Sequence, residues 1–456
     1  MAKEHLKSRL GFILISAGCA IGIGNVWKFP YITGQNGGGL FVLIYLFFLA
    51  VLGIPVLVME FSLGRASQKS PSQMYKILEP KNSKWHLHGY VTVIGCYLLM
   101  MFYTTVAGWM LDYFVKMTKG DFVGADTSKV NDIFGNMLAN PTEQTIFMAI
   151  TVILAVIVCS IGLQKGLEKV TKVIMVALLG IMVILAINSI FLPGSKEGLS
   201  FYLLPSVKNM TEVGVGNVIV AAMNQAFFTL SLGIGSMAIF GSYIGKDRSL
   251  LGESINITVL DTFVAITSGL IIFPACFTYN IPVDAGPNLI FVTLPNVFIN
   301  MPGGRIWGSL FFLFMTFAAF STVLAVFQNI VANTQDTFGW SLKKSCLING
   351  VLLLVLSMPC ILGFNLLSGF QPLGDGSTIL DLEDFIVSNV LLPLGSFIFV
   401  IFCTTRYGWG WKNFKAEANA GKGLKIKNWM RGYMTYVLPV IVLALFIVGI
   451  VNVFKK

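Results

Sequence analysis

The chain has 456 residues, of which 55% are hydrophobic and only 11% charged, with a mean hydropathy of +0.79 and a formal net charge of +10. That apolar excess excludes a soluble globular protein and requires a polytopic membrane protein. A basic balance could mark a nucleic-acid binder, but the placement of the basic residues excludes that class as well.

Eleven apolar runs follow in chain order, at residues 10–27, 38–59, 89–111, 144–164, 173–195, 213–245, 254–280, 306–335, 345–374, 385–405 and 432–454. Each meets the roughly 18 to 20 residues that about 30 Å of hydrocarbon demands. With the N-terminus inside and the C-terminus outside, 22 of the 31 Lys/Arg fall on the cytoplasmic side and 8 outside, with Lys28 inside a span. This is the positive-inside asymmetry, so the basicity is topological and no nucleic-acid partner is expected. The expected location is the cytoplasmic membrane, crossed many times, with the lipid bilayer as a partner. Nothing in the sequence asks for more than a monomer or a weak dimer.

Seven cysteines (Cys19, Cys96, Cys159, Cys276, Cys346, Cys360 and Cys403) lie in or beside the spans without a CxxC pair, so neither a disulfide framework nor a zinc site is expected. Ala17-Gly18-Cys19 faintly resembles a lipoprotein cleavage site, but Ser16 and the ten spans that follow argue against removal of this segment. His5, His86 and His88 fall in the N-terminal segment or the second cytoplasmic loop and read as solvated. No catalytic triad, P-loop or metal cluster is present, and the chain is not expected to be an enzyme.

The first and sixth runs are interrupted by paired glycines, Gly22-Ile23-Gly24-Asn25 and Gly233-Ile234-Gly235-Ser236. Backbone groups freed inside a bilayer cost several kcal/mol each unless protein or a polar cavity satisfies them. Such breaks, paired between two halves, point to a midplane binding site. The motifs lie five spans apart, an odd number, so the second copy enters the membrane upside down. A single transmembrane domain over residues 1–456 is expected, with one repeat at about 9–192, an inverted repeat at about 213–406, and an extra helix at about 432–454. Helix ends at each break offer N–H groups with positive character and carbonyls with negative character. A zwitterionic amino acid matches that pair of poles, its carboxylate near Gly22 to Gly24 and its ammonium near the carbonyls of Cys19, Phe228 and Ser231. Asp261 lies about 10 Å into its span at 1.5 Å per residue, still within reach of the membrane surface as a helix-end charge.

Beyond these patterns, Arg9-Leu10-Gly11, the run from Ala20 to Pro30, Asn36-Gly37-Gly38-Gly39 and Gly53-Ile54-Pro55 resemble the neurotransmitter:sodium symporter family in its bacterial amino-acid branch. The resemblance runs from about residue 3 to 405. It implies an all-α leucine-transporter-type fold, an inverted five-helix repeat plus an eleventh helix, with spans 1 and 6 broken at mid-membrane. It implies a first sodium site from the Ala20 carbonyl, Asn25, Thr229 and Asp261, completed by the substrate carboxylate. A second would use the carbonyls of Gly18, Ile21 and Ala318 with the hydroxyls of Ser321 and Thr322. Around the substrate the resemblance sets Cys19, Ala20, Gly22, Ile23, Gly24, Leu99, Tyr103, Phe228, Thr229, Ser231, Ile234, Thr322 and Val326, with Tyr103 bonding its carboxylate. Lys28 with Asp384 would gate the outer side and Lys3 with Asp336 the inner side, near Ser242 and Tyr243.

Several departures from the family pattern carry consequences. Asp261 stands where asparagine is common, and Ala265 where some relatives have an acid, which implies a built-in negative charge and no chloride requirement. Tyr45 and Gln225 would remain as the hydrogen-bonding frame of that region. Glycine at position 22, where amine carriers have aspartate, favours an α-amino acid, and Leu99, Ile234 and Val326 make its side-chain pocket apolar. Both gate lysines stand where arginine is usual, losing the bidentate fork. Val176 replaces a proline ten residues after Gly166, and Glu60 resembles the glutamate that braces the second break. The reading is sodium-coupled symport of a hydrophobic amino acid by alternating access, with two sodium ions. A proton-coupled or osmolyte transporter of the same fold, a non-transporting amino-acid receptor and a channel stay open as alternatives.

Overall fold

The computed structural model describes residue 6 and residues 8–279 and 288–454. Among the described residues the chain is helical, with one isolated bridge between Arg248 and Lys422. Span 1 is the bent pair Arg9–Ala20 and Gly24–Gln35, span 2 is Gly39–Ser67, span 3 His86–Lys119, span 4 Pro141–Ser160 and span 5 Leu163–Ile190. Span 6 consists of Val215–Thr229 and Ser236–Gly241. Span 7 is Leu250–Thr278, span 8 Gly304–Phe338, span 9 Leu342–Leu362, span 10 Ile379–Thr404 and span 11 Met430–Val451. All eleven expected spans are therefore helical, but their bounds differ where composition misleads. Span 9 stops at Leu362, and residues 363–374 that follow it are turns and irregular chain. Span 10 begins at Ile379, which places Asp384 on the helix instead of before it.

Among the described residues four spans, 1, 2, 10 and 11, and the short helix Leu289–Asn300 between spans 7 and 8 each contain a widened turn that a proline causes. Phe29, Ile54, Leu294, Leu392 and Leu438 each precede a proline and donate their N–H to the carbonyl five residues back, on Gly24, Leu49, Leu289, Val387 and Tyr433. A proline ring crowds the carbonyl four residues before it and has no N–H to offer, so the chain takes an extra residue into that turn. Span 5 has the same widening without a proline. Leu167 donates to Gly162 at 3.1 Å, and a Cβ on Gly166 would sit 2.0 Å from the Val158 carbonyl. The irregularity thus survives Val176, which continues the regular helix Lys169–Ile190.

Spans 3 and 8, the third members of the two repeats, pack along one another. The first half of span 1 lies against spans 5, 7 and 8, and the second half of span 6 against span 2. Small residues permit the closest approach, as expected where lipid gives no hydrophobic drive between helices. A Cβ on Gly64 would come 1.8 Å from the Ala238 carbonyl. Gly64→Ala is therefore expected to destabilise the protein by about 1 to 3 kcal/mol through overpacking. Gly180→Ala, with nothing within 4 Å of the added atom, should leave thermal unfolding in detergent unchanged or raise it.

Candidate functional site

The two breaks have different physical origins. In span 1 the helix ends at Ala20, Ile21 is extended with φ −71° and ψ 99°, and the next segment leaves at 56°. Neither Gly22 nor Gly24 has a positive φ; glycine is needed there for space. A Cβ on Gly22 would lie 2.3 Å from Tyr103 Oη and 2.6 Å from Thr322 Oγ1, and one on Gly24 would lie 2.6 Å from the Phe228 ring. In span 6, by contrast, Ser231, Gly233 and Gly235 all turn left-handed, with φ of +50°, +101° and +71°. Glycine carries that conformation cheaply, whereas Ser231 stores strain. The Ser231 hydroxyl donates to the Cys19 carbonyl at 3.3 Å and so ties the two breaks together. Glu60, fully buried on span 2, accepts from Gly233 N–H at 2.6 Å, a structural brace rather than an interfacial charge.

Beside the first break three polar side chains close on one another. Asn25 Nδ2 donates to Thr229 Oγ1 at 3.1 Å and to Asp261 Oδ1 at 2.8 Å, and Thr229 Oγ1 donates to Asp261 Oδ2 at 2.9 Å. Asp261 is 0% exposed, so it is not a helix-end charge reaching the surface. A buried carboxylate held by neutral donors keeps its attraction for a cation. Gln225 Nε2 donates to the Gly24 carbonyl at 3.5 Å, and Tyr45 packs on Phe29 with ring centroids 4.9 Å apart.

A second set of oxygens converges where the first half of span 1 meets span 8. Ser321 Oγ donates to the Ala318 carbonyl at 2.9 Å and the Ile21 carbonyl at 3.2 Å. Thr322 Oγ1 lies 3.3 Å from the Gly18 carbonyl and 3.4 Å from those of Cys19 and Ile21. Two hydroxyls and several carbonyls in a dry pocket are the hard-oxygen shell that an alkali cation prefers. This cation would be cargo, not a resident cofactor.

Between the two sets lies a cavity of about 20 Å³, lined by Cys19, Ala20, Gly22, Gly24, Leu99, Tyr103, Phe228, Ser231, Ile234 and Thr322. That is room for about one water, so the site is contracted. Two of the N–H groups at the break are already engaged: Gly22 donates to Asn25 Oδ1 at 3.2 Å and Ile23 to Tyr103 Oη at 3.0 Å. Gly24, Tyr103 and Phe228 also line a second cavity of about 270 Å³ above, and so form the partition between the two. Over Phe228 sits Lys28, its Nζ 3.8 Å from the ring centroid and 3.4 Å from Asp384 Oδ2. Ser388 supplies the contact that a lysine lacks: it accepts from Lys28 at 3.3 Å and donates to Asp384 Oδ1 at 2.6 Å.

On the opposite face Lys3 lies outside the described residues. Asp336 accepts from Lys69 Nζ at 3.2 Å and from Ser70 N–H at 2.8 Å. Arg9 Nε donates to both oxygens of Glu253, at 3.0 and 3.1 Å, and Glu168 accepts from Ser8 and Lys172 at 3.1 and 2.6 Å. The start of span 1 is thus held to spans 5 and 7, and Tyr243 accepts from Gln328 at 3.0 Å nearby.

Of the expected pocket residues, Ile23 lines the upper cavity, while Thr229 and Val326 line neither, although both are buried. Val387 and Leu392 of span 10 do line the lower one and were not anticipated, because their apolar side chains look like ordinary lipid-facing residues in sequence. Lys69, Ser388 and the Arg9–Glu253 pair were missed for another reason, since their partners lie hundreds of positions away in the chain. His88 is buried with its Nδ1 2.7 Å from Tyr75 Oη, which corrects the expectation of a solvated side chain. Among the described residues no group of three His, Cys, Asp or Glu could hold a metal, and all seven cysteines are free and buried.

Two helices broken at membrane depth, five spans apart and braced by one another, define a secondary-transporter architecture. A model of the sodium:neurotransmitter symporter family matches residues 3–126 and 127–456, and the chain belongs to that family. It is 34% identical to an uncharacterized sodium-dependent transporter, YhdH, of Bacillus subtilis, over 98% of both chains. It is 24% identical to the sodium- and chloride-dependent GABA transporter 2 of Mus musculus, over 90% of this chain and 74% of that one. The crystal structure of MhsT in complex with L-phenylalanine superimposes with a TM-score of 0.88 at 35% identity, covering 98% of this chain and all of that one. The chain is thus a sodium-dependent transporter with the leucine-transporter-type fold.

Gly22→Ala is expected to push the Tyr103 hydroxyl off Ile23 N–H and lower sodium-driven uptake roughly five- to hundredfold, the effect of one lost buried hydrogen bond. Tyr103→Phe alone, which removes the same acceptor, should lower uptake by a similar factor, and adding it to Gly22→Ala should cost little more, which uptake into vesicles would read directly.

Proposed function

We propose that this protein imports a hydrophobic α-amino acid, aliphatic or aromatic, with two sodium ions by alternating access and without chloride. The observation that carries the reading is the meeting of both breaks around one apolar cavity with oxygen clusters on either side. In this reading Asn25, Thr229, Asp261 and the Ala20 carbonyl hold one sodium ion, and the substrate carboxylate completes its shell. Gly18, Ile21, Ala318, Ser321 and Thr322 hold the second. The substrate ammonium faces Ser231 and the carbonyls of Cys19 and Phe228, while Leu99, Ile234, Val326 and Val387 take its side chain. Glycine at position 22 leaves the carboxylate its place, and the phenylalanine bound by MhsT supports a hydrophobic side chain.

Each proposed sodium site draws oxygens from both repeats, so an ion bound there favours the conformation in which the repeats meet. Sodium entry from outside then draws span 1 onto spans 6, 7 and 8, and the substrate closes Phe228 and Tyr103 beneath Lys28. Release to the cytoplasm requires the Arg9–Glu253 pair and the Ser8–Glu168 hydrogen bond to part. Solvated pairs contribute only about 0 to 1 kcal/mol each and can break in every cycle. The membrane potential adds about 2.3 kcal/mol per charge per 100 mV to the sodium gradient.

Uptake of pooled radiolabelled amino acids into proteoliposomes, under a sodium gradient against a potassium control, tests the reading. Accumulation of hydrophobic amino acids that is sodium-driven and indifferent to chloride is expected; none in any pool would overturn it. Ser321→Ala with Thr322→Ala should remove the second site's share of the stabilisation by sodium, about 2.7 kcal/mol at a hundredfold excess over its Kd. A sodium-independent flux that survives this pair would favour proton coupling. Asp261→Asn removes the fixed charge and is expected to stop uptake in chloride-free medium while chloride restores part of it. Uptake that stays chloride-blind in that variant would show Asp261 is not the balancing charge.

A further inference from the structure

The connector between spans 10 and 11, residues 406–431, is unbalanced in charge. It carries Arg406, Lys412, Lys415, Lys422, Lys425, Lys427 and Arg431 against a single acid, Glu417. That acid is already engaged, 2.7 Å from Arg65 Nε and 3.0 Å from Lys246 Nζ. Trp411–Ala418 is a short helix that buries Trp411, Phe414 and Ala418 and packs on span 2, leaving Lys412 exposed and Lys415 half-buried. With Arg431 of span 11 these two lysines line an open cleft of about 790 Å³, together with Trp411, Asn419 and Asn428.

The walls of this cleft are fixed. Lys415 Nζ donates to Asn428 Oδ1 at 2.6 Å, and Asn419 pins the loop by donating to the Ile426 carbonyl at 3.0 Å and accepting from its N–H at 2.7 Å. Among the described residues no carboxylate forms an ion pair with Lys412, Lys415 or Arg431. The cleft opens at the start of a membrane span, flanked by Trp429 and Tyr436, 73% and 72% exposed, the aromatic pair that settles at headgroup depth. Below it Tyr436, Val440, Leu443 and Ile447 leave an exposed stripe at helical spacing along span 11.

We propose that this cleft binds the phosphate headgroup of an anionic phospholipid, whose acyl chains run down the stripe on span 11. Three unpaired cations match a phosphodiester, and fixed amides at the rim match glycerol or its hydroxyls. A zwitterionic lipid fits less well, because the one carboxylate nearby is held by Arg65 and Lys246 and cannot receive a choline or ammonium. The apolar stripe favours a lipid over a soluble phosphate. This site lies apart from the two breaks and holds whatever the transported substrate is.

Native mass spectrometry of the full-length protein, released from vesicles of phosphatidylglycerol and phosphatidylcholine, tests it. Preferential retention of phosphatidylglycerol is expected in the wild type and in the charge-preserving K412R/K415R/R431K variant. K412Q/K415Q/R431Q should lose it by about fivefold for each cation removed, whereas R406Q/K422Q/K427Q, with the same change in charge, should keep it within about twofold. Circular dichroism melting of each variant separates loss of the lipid from loss of fold. Equal losses in the two glutamine triples, or no preference in the wild type, would overturn the site. Displacement of the lipid by millimolar glycerol phosphate as readily as by phosphatidylglycerol would assign the cleft to a soluble phosphate instead and overturn the lipid assignment.

Discussion

A helix that stops at membrane depth leaves N–H and C=O groups with no water to bond, and this chain contains two such stops. Their satisfaction organises the molecule. Glu60 reaches across from span 2 to Gly233, Tyr103 from span 3 to Ile23, and Ser321 and Thr322 from span 8 to the carbonyls that end the first half of span 1. Ser231 joins the two breaks through Cys19. Each of these partners comes from a helix other than the one whose groups it satisfies, so the breaks are tolerable only in the assembled fold. Tyr103, Thr322 and Ser231 also line the cavity, so their structural and functional roles cannot be separated there.

That arrangement also explains how one cavity can be closed toward both faces. On one side Lys28 lies over Phe228 and beside Asp384, with Ser388 completing the contact. On the other, the start of span 1 is tied to Glu253 and packed against Glu168 so closely that a Cβ on Gly11 would collide with that carboxylate. These ties are polar, partly solvated and individually weak. The interior contacts, Gly233 against Leu392 and Gly395 against Gly233, are backbone to backbone and rigid. The edges around the cavity are thus soft and its centre stiff.

Much of the site was legible in the sequence because its chemistry uses unusual residues. A lone aspartate in an apolar run, glycines paired in two spans, and Asn25 between them are conspicuous against a hydrophobic background. What escaped was written in ordinary residues. Val387 and Leu392 reach the cavity only because the proline-widened turn before Pro393 shifts the register of span 10, and no periodicity predicts which face that turn presents. His88 reads as a loop residue until the helix Pro71–Leu78 folds over it with Tyr75. Glycine pairs that look alike in sequence prove different in kind: those of span 1 make room for Tyr103, Thr322 and Phe228, while those of span 6 supply left-handed backbone.

The sequence by itself determined that the chain is a many-span membrane protein, the place of the two broken helices five spans apart, and the family. These follow from composition, period and motif, which act locally or add along the chain. Tertiary structure alone decided that Asp261 is sealed from solvent against Asn25 and Thr229, that Lys69 faces Asp336, and that a cleft of three cations opens beside span 11. Those depend on residues tens to hundreds of positions apart, brought together by helix packing that leaves no trace in the residues' own identities.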